Sequence, residues 1–423
     1  MAWTRLGGED AAWLHMEDAA NPMVVSGIVD LAARLPMTAL TERVAQRLAS
    51  IARFRERVVE PPLGLGPPHW EPDPRFDVRE HLEHAELEAP DDATLQAFIG
   101  KAVSRLLDRS RPLWHITAID RPGAGTTLLF RVHHAIADGF ALLSALLSLC
   151  DEGPSVASAL PLSVKASHGL RRYAAAARRI VVLPPDPKTS LKGALGNDKR
   201  VAWSAPLALP LVKDVAHREG ATVNDVRVAV VAGALRRELR RRGDDVMAVR
   251  AMVPVNLRVR PSSAELGNRF GLVILELPVG IADGRERVAA VHARMGALKA
   301  TREPVVTFAI LRLMGWAPRA AESLGVAFFG KKASLVLTNV PGPRERLHMT
   351  GVDVTRVLFW VPQSGRMGLG ISIFSYADAI TVGVMADALL MRTPERLAAD
   401  VNAEFADLTA GPSASPAVLG HPS

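Results

Sequence analysis

The chain has 423 residues, is 48% hydrophobic and 22% charged, and carries a formal net charge of +7, ordinary globular material with length for two or three cores. One cysteine, Cys150, excludes an internal disulfide and a thiolate metal cluster, and no run nears the roughly 18 uncharged apolar residues of a spanning helix. The acidic start "MAWTRLGGED" lacks a signal-like apolar core, so a cytoplasmic protein is expected, and the mild cationic excess comes without a helix-turn-helix, zinc or strand-borne RNA motif, so nucleic acid is not an expected partner.

The first predicted element is a strand, "MVVSGIVDL", followed by a helix capped by Thr38 with Leu40, Val44, Leu48 and Ile51 at helical spacing. A proline-punctuated connector, 61–84, precedes a helix over about 91–107 and then "RPLWHITAID". Thr126 to Val132 is rich in β-branched and apolar residues and reads as a buried strand; "FALLSALLSLC" reads as a buried helix. Between them lies "HHAIADG", so His133 and His134 stand where a strand ends, and Asp138 and Gly139 where a helix starts. Strand ends are where α/β proteins place chemistry. Residues 161–200 read as a linker that holds one basic amphipathic helix, "LRRYAAAARRIVV", with Arg171, Arg172, Arg178 and Arg179 on one face. That face suits either solvent or an anionic membrane or lipid droplet.

Past the linker the α/β alternation resumes. "TVNDVRVAVVAGALRREL" and "GRERVAAVHARMGALKAT" read as helices, "VRAMVPVNLR", "RFGLVILELPV" and "SLVLTNVPG" as strands, and "GLGISIFSY" with "AITVGVMAD" as an antiparallel pair. The domains are expected at 1–160 and 201–423, with the last dozen or so residues disordered.

The loop His133-His134-Ala-Ile-Ala-Asp138-Gly139 resembles the His-His-x-x-x-Asp-Gly signature of acyltransferases of the chloramphenicol acetyltransferase-like superfamily. Pro112-Leu113-Trp114, "TVNDV" with Asn224 and Asp225, "VPVNLR", "LGNRFG" and "SLVLTNVPGP" narrow the likeness to the bacterial wax ester synthase/diacylglycerol acyltransferase family. It runs in order from about residue 3 to 410. The resemblance implies an α/β fold of two chloramphenicol acetyltransferase-like domains, each a mixed sheet flanked by helices, with the active site and channel at their interface. It also implies a fatty acyl-CoA co-substrate, no bound cofactor, no metal, and a diacylglycerol or long-chain alcohol as acceptor. His115 stands where an acidic residue often follows the tryptophan, which bears on acceptor choice.

Esterification needs a base for the hydroxyl proton and an acid for the departing CoA sulfur, and one imidazole can serve both. By resemblance His134 is that base. Adjacent residues leaving a strand point to opposite sides, so His133 should support the loop. Asp138, by resemblance, turns from the histidine toward an arginine, with Arg258 the candidate, and Gly139 lets the backbone turn. Asn224 has two readings, an oxyanion donor or a helix cap. Asp225 is read as capping, and Pro112, Leu113, Trp114 and Asn339 as packing and channel shape. Two other functions stay open: a carrier-dependent condensation or acyltransferase of lipopeptide or polyketide type, and a non-catalytic lipid-binding protein.

Overall fold

The structure, a computed structural model, describes residues 3–61, 66–153, 170–258, 266–317, 319–363, 365 and 367–410. The expected loose tail and residues 154–169 of the linker region lie outside these. Two mixed sheets carry the fold. The first has six strands in the order His348–Met349, Val352–Trp360, Val24–Leu31, Gly125–His133, Trp114–Arg121, Leu82–Glu86, antiparallel except for its last pair. The second orders Phe270–Leu277, Val249–Asn256, Leu335–Pro341, Leu369–Tyr376, Ala379–Asp387 and Lys199–Trp203, with two parallel pairings around Leu335–Pro341. A small sheet joins Thr4–Arg5, His69–Pro72 and Glu56–Val59.

Gly125–His133 is buried along nearly its whole length, which is why Leu128, Leu129 and Phe130 at its middle follow one another without polar alternation. It lies between Val24–Leu31, with Val24 opposite His133, and Trp114–Arg121, with Trp114 opposite Val132. Both flanking strands therefore hold the histidine end of the central strand in register. Cys150 is buried and unpaired, and the apolar surroundings push its thiol up to about 12.

Two local expectations need correction. The helix Met37–Arg47 starts after Pro36, with no side-chain cap, so Thr38 lies inside its first turn; Leu40 and Val44 form its buried stripe. Val352–Trp360, placed by chain order in the second half, pairs instead with Val24–Leu31 of the first. Without it Val24–Leu31 would be an open edge, and covering that edge ties the two halves together. A cluster of Ile28, Leu129, Leu358, Trp360, Val201 and Trp203 fills the space between the two sheets with side chains from both.

Candidate active site

The histidine loop is fixed by its backbone first. The His133 N–H donates to Leu113 O at 2.9 Å and the His134 N–H to Met23 O at 2.7 Å. Leu113 thus holds the strand end, while Trp114 is a fully buried anchor whose indole N–H donates to Phe54 O at 2.8 Å and which stacks on His81. The two histidines diverge as the pleat requires. His133 is wholly buried; its Nδ1 accepts from the Ala135 N–H at 3.0 Å, and its Nε2 lies 3.2 Å from Glu17 Oε2 without hydrogen-bond alignment. Glu17 is in turn held by Arg109 and by the Met23 N–H at 3.2 Å.

His134 is 8% exposed. Its ring stacks on Trp13 at a centroid distance of 4.2 Å and an interplanar angle of 15°, with Phe270 tilted against it at 5.6 Å. Burial in this aromatic slot pushes the imidazole down to about 4, opposed by the Asp138 charge and the Asn268 side chain. The ring is therefore neutral at pH 7 and able to accept a proton. Its Nδ1 is buried without a partner among the described residues, and none of their carboxylates orients it; the stack on Trp13 does. The His134 carbonyl accepts from Asn268 Nδ2 at 2.7 Å, and the same Nδ2 donates to Asp10 Oδ1 at 2.8 Å. Burial raises the Asp10 carboxyl to about 7.

Asp138 turns away from the histidine. It caps the helix Gly139–Leu147 through the Ala141 N–H at 3.1 Å, accepts from the Arg269 N–H at 3.1 Å, and forms a buried ion pair with Arg258. Gly139 needs correction: it does not have a left-handed φ, and an added Cβ would meet nothing within 4 Å. A turn requirement therefore does not account for it. It lies instead in the wall of a narrow apolar crevice with Val25, Phe130, Leu142, Leu146 and Phe359.

A second group forms around the start of the helix Val223–Arg241. Thr222 is the N-cap, and Asp225 closes a reciprocal capping box with it at 3.2 and 2.9 Å. Asn224 is thus not the cap. Its Oδ1 accepts from Asn339 Nδ2, and its own amide N–H groups have no protein partner among the described residues. Asn224, Asn339 and Arg227 face a cavity of about 1060 Å³ whose wall also includes Phe140, Arg172, Arg179, Lys299 and Arg302. Arg227 donates to Asn339 Oδ1 at 3.2 Å, and burial lowers its guanidinium to about 10. Among the described residues no contact joins this group directly to His134. The link is the loop itself, since Phe140 in the cavity wall lies two residues past Asp138. No cluster of three or more His, Cys, Asp or Glu among the described residues could hold a metal ion.

Sequence reasoning passed over the helix Gly8–Met16. It supplies Asp10 and Trp13, and Glu17 follows directly after it. Their spacing of three and then four places them on one helical face, and that spacing was the available signal.

Residues 6–159 match the wax ester synthase/diacylglycerol acyltransferase catalytic domain, and residues 266–409 match the WS/DGAT C-terminal domain. The chain is 27% identical over 95% of both lengths to tgs1 of Mycobacterium tuberculosis, named as a probable diacylglycerol O-acyltransferase. It superposes on the wax ester synthase/diacylglycerol acyltransferase from Marinobacter aquaeolei VT8 with a TM-score of 0.70 and 22% identity, covering 96% of this chain and 99% of that one. The first condensation domain of the calcium-dependent antibiotic synthetase gives a TM-score of 0.67 at 17% identity, covering 98% of both chains, a likeness of fold.

Proposed function

Because the chain belongs to the wax ester synthase/diacylglycerol acyltransferase family, we propose that it moves a fatty acyl group from acyl-CoA to diacylglycerol or a long-chain alcohol, with His134 as the general base. The acyltransferase activity follows from the family; the donor, the acceptor and the role of each residue are the proposal. The observation that carries it is a neutral, nearly buried imidazole held at a strand end by an aromatic stack. The acceptor oxygen attacks the thioester carbonyl carbon while the ring takes the hydroxyl proton. The tetrahedral intermediate then collapses, the carbon–sulfur bond breaks, and the imidazolium returns that proton to the CoA sulfur.

Asn224 fits the oxyanion role because its carbonyl is engaged by Asn339 and its N–H groups are the ones left to donate. The cations in the cavity wall suit a phosphorylated donor, and the crevice beside Gly139 suits an acyl chain. Peripheral contact with an anionic membrane or lipid droplet belongs to the same reading, since no helix among the described residues is long and apolar enough to cross a membrane.

The test is CoA-thiol release by purified protein with palmitoyl-CoA and either diacylglycerol or hexadecanol, read together with product mass. His134→Ala should lose activity by about 10²–10⁴-fold with its melting temperature kept, and His133→Ala should lose less. Full activity of His134→Ala would overturn the assignment of the base. Turnover with an acyl-carrier donor and none with acyl-CoA would overturn the assignment of the donor.

A further inference from the structure

Six of the eleven large apolar side chains that stand exposed among the described residues lie on or beside three helices, Leu170–Val182, Glu303–Met314 and Arg319–Lys332. Leu313 ends the second helix and Trp316 follows in the turn after it; Leu324 and Phe328, four apart, share one face of the third; Val181 and Val182 end the first. Leu324 is 72% exposed and Leu313 66%. The pieces are contiguous. An added Cβ at Gly325, next to Leu324, would touch the Met314 side chain, next to Leu313. Lys332 donates to Val181 O at 3.2 Å and sits 4.2 Å over the Phe328 ring. Exposed apolar side chains gathered contiguously in this way mark an interaction surface.

Charge says what covers it. The acids of these three helices are Glu303 and Glu322, and both are 2% exposed, paired with Arg179 and His15. The charge left outside is positive: Arg171, Arg178 and Lys331 are exposed, as is Arg312, whose Nε lies 3.8 Å from Glu9, and Arg5 and Arg312 lie over the Trp316 ring at 5.5 and 5.4 Å. A second copy would bring like charge against like. Tryptophan, leucine and phenylalanine among arginine and lysine is the composition of an interfacial lipid-binding surface. The first two helices also wall the large cavity through Arg172, Ala176, Arg179, Glu303 and Pro304.

We propose that this face docks on an anionic phospholipid surface, with Leu313, Trp316, Leu324 and Phe328 entering the headgroup layer, and that it brings the cavity mouth to a lipid-dissolved acceptor. The second half rests on the acyltransfer reading above; the docking does not. The four-arginine face of Leu170–Val182 takes a smaller part than its spacing suggests, because Arg172 and Arg179 line the cavity and Arg179 is paired with Glu303.

The full chain is sedimented with vesicles of phosphatidylcholine containing phosphatidylglycerol, and with vesicles of phosphatidylcholine alone. Leu313→Asp with Leu324→Asp is compared with Leu211→Asp and Met247→Asp, two exposed apolar positions elsewhere with the same change in charge. At least a tenfold loss of binding to the anionic vesicles in the first pair, and less than a twofold loss in the second, is expected. Equal losses in the two pairs, no loss in the first, or wild-type binding as tight to the neutral vesicles would overturn the docking. The first pair should also lose transfer to vesicle-borne diacylglycerol while keeping transfer to a short soluble alcohol; equal loss on both acceptors would overturn the delivery half. A wild type that binds vesicles and transfers to no acceptor would remove the acyltransfer reading and leave the docking standing.

Discussion

Asn268 connects three parts of the chain: its single Nδ2 donates both to the His134 carbonyl and to Asp10. Removing a partner from a buried acceptor costs about 1–3 kcal/mol, and here the acceptor is the backbone of the residue proposed as the base. Asn268→Leu should therefore reduce kcat by roughly tenfold or more. Asn268→Asp, which removes the donors but keeps the shape, should do the same. Steady-state kinetics with palmitoyl-CoA measures both; wild-type kcat in both variants would show that the loop does not need this bond. Arg258, the candidate that the family resemblance offers as partner of Asp138, forms an ion pair with it. Asn268 was not, because a neutral amide with a neutral carbonyl leaves no charge pattern to read.

The start of the helix Val223–Arg241 separates two roles that share the short motif "TVND". Thr222 and Asp225 satisfy the first-turn donors, and Asn224 does not. Thr222→Ala should thus lower stability by about 1 kcal/mol and leave turnover nearly intact. Asn224→Ala should cost no capping energy and reduce turnover by about 10²–10³-fold. Thermal melts paired with CoA-release rates distinguish the two, and the reverse pattern would return Asn224 to a structural role. Close backbone packing sets another element: a Cβ at Gly8 would lie 2.0 Å from Arg312 O, and one at Gly315 1.7 Å from Gly8 O. Glycines there let Gly8–Met16 approach Glu303–Met314 and put Trp13 under the histidine. In the sequence they read only as punctuation.

Across the molecule, two buried groups near the loop titrate in opposing senses. His134 is depressed from 6.5 to about 4, so the unfolded chain binds the extra proton and stability falls as pH drops from 6.5 to 4. Asp10 is raised from 3.8 to about 7, so its contribution is full below 3.8 and is lost as pH rises to 7. Between pH 4 and 6.5 the slopes cancel, each about 1.4 kcal/mol per pH unit. Asp10→Asn should expose the histidine slope, giving a melting temperature that drops more steeply than wild type from pH 6.5 to 4. Parallel curves would show that Asp10 is ionised in the fold. The kcat/KM profile of the wild type should likewise keep its plateau below pH 6.5, since the free enzyme's base stays neutral. An acid limb at 6.5 would mean that the ring is solvated in the working protein.

The strand, the divergent histidines and the helix start at Asp138 and Gly139 were legible in the sequence because each depends on chain neighbours: a run of β-branched and apolar residues, the alternation of a pleat, and an Asp-Gly pair just ahead of an apolar helical stretch. The family's motifs were equally local. The tertiary structure alone decided which distant segments close around the loop. Trp13 and Phe270 are 257 positions apart and meet on one imidazole, and Val352–Trp360 crosses to the other half's sheet. Those contacts come from burying apolar area and satisfying buried amides, forces without a preferred spacing along the chain. No periodicity in the sequence records them.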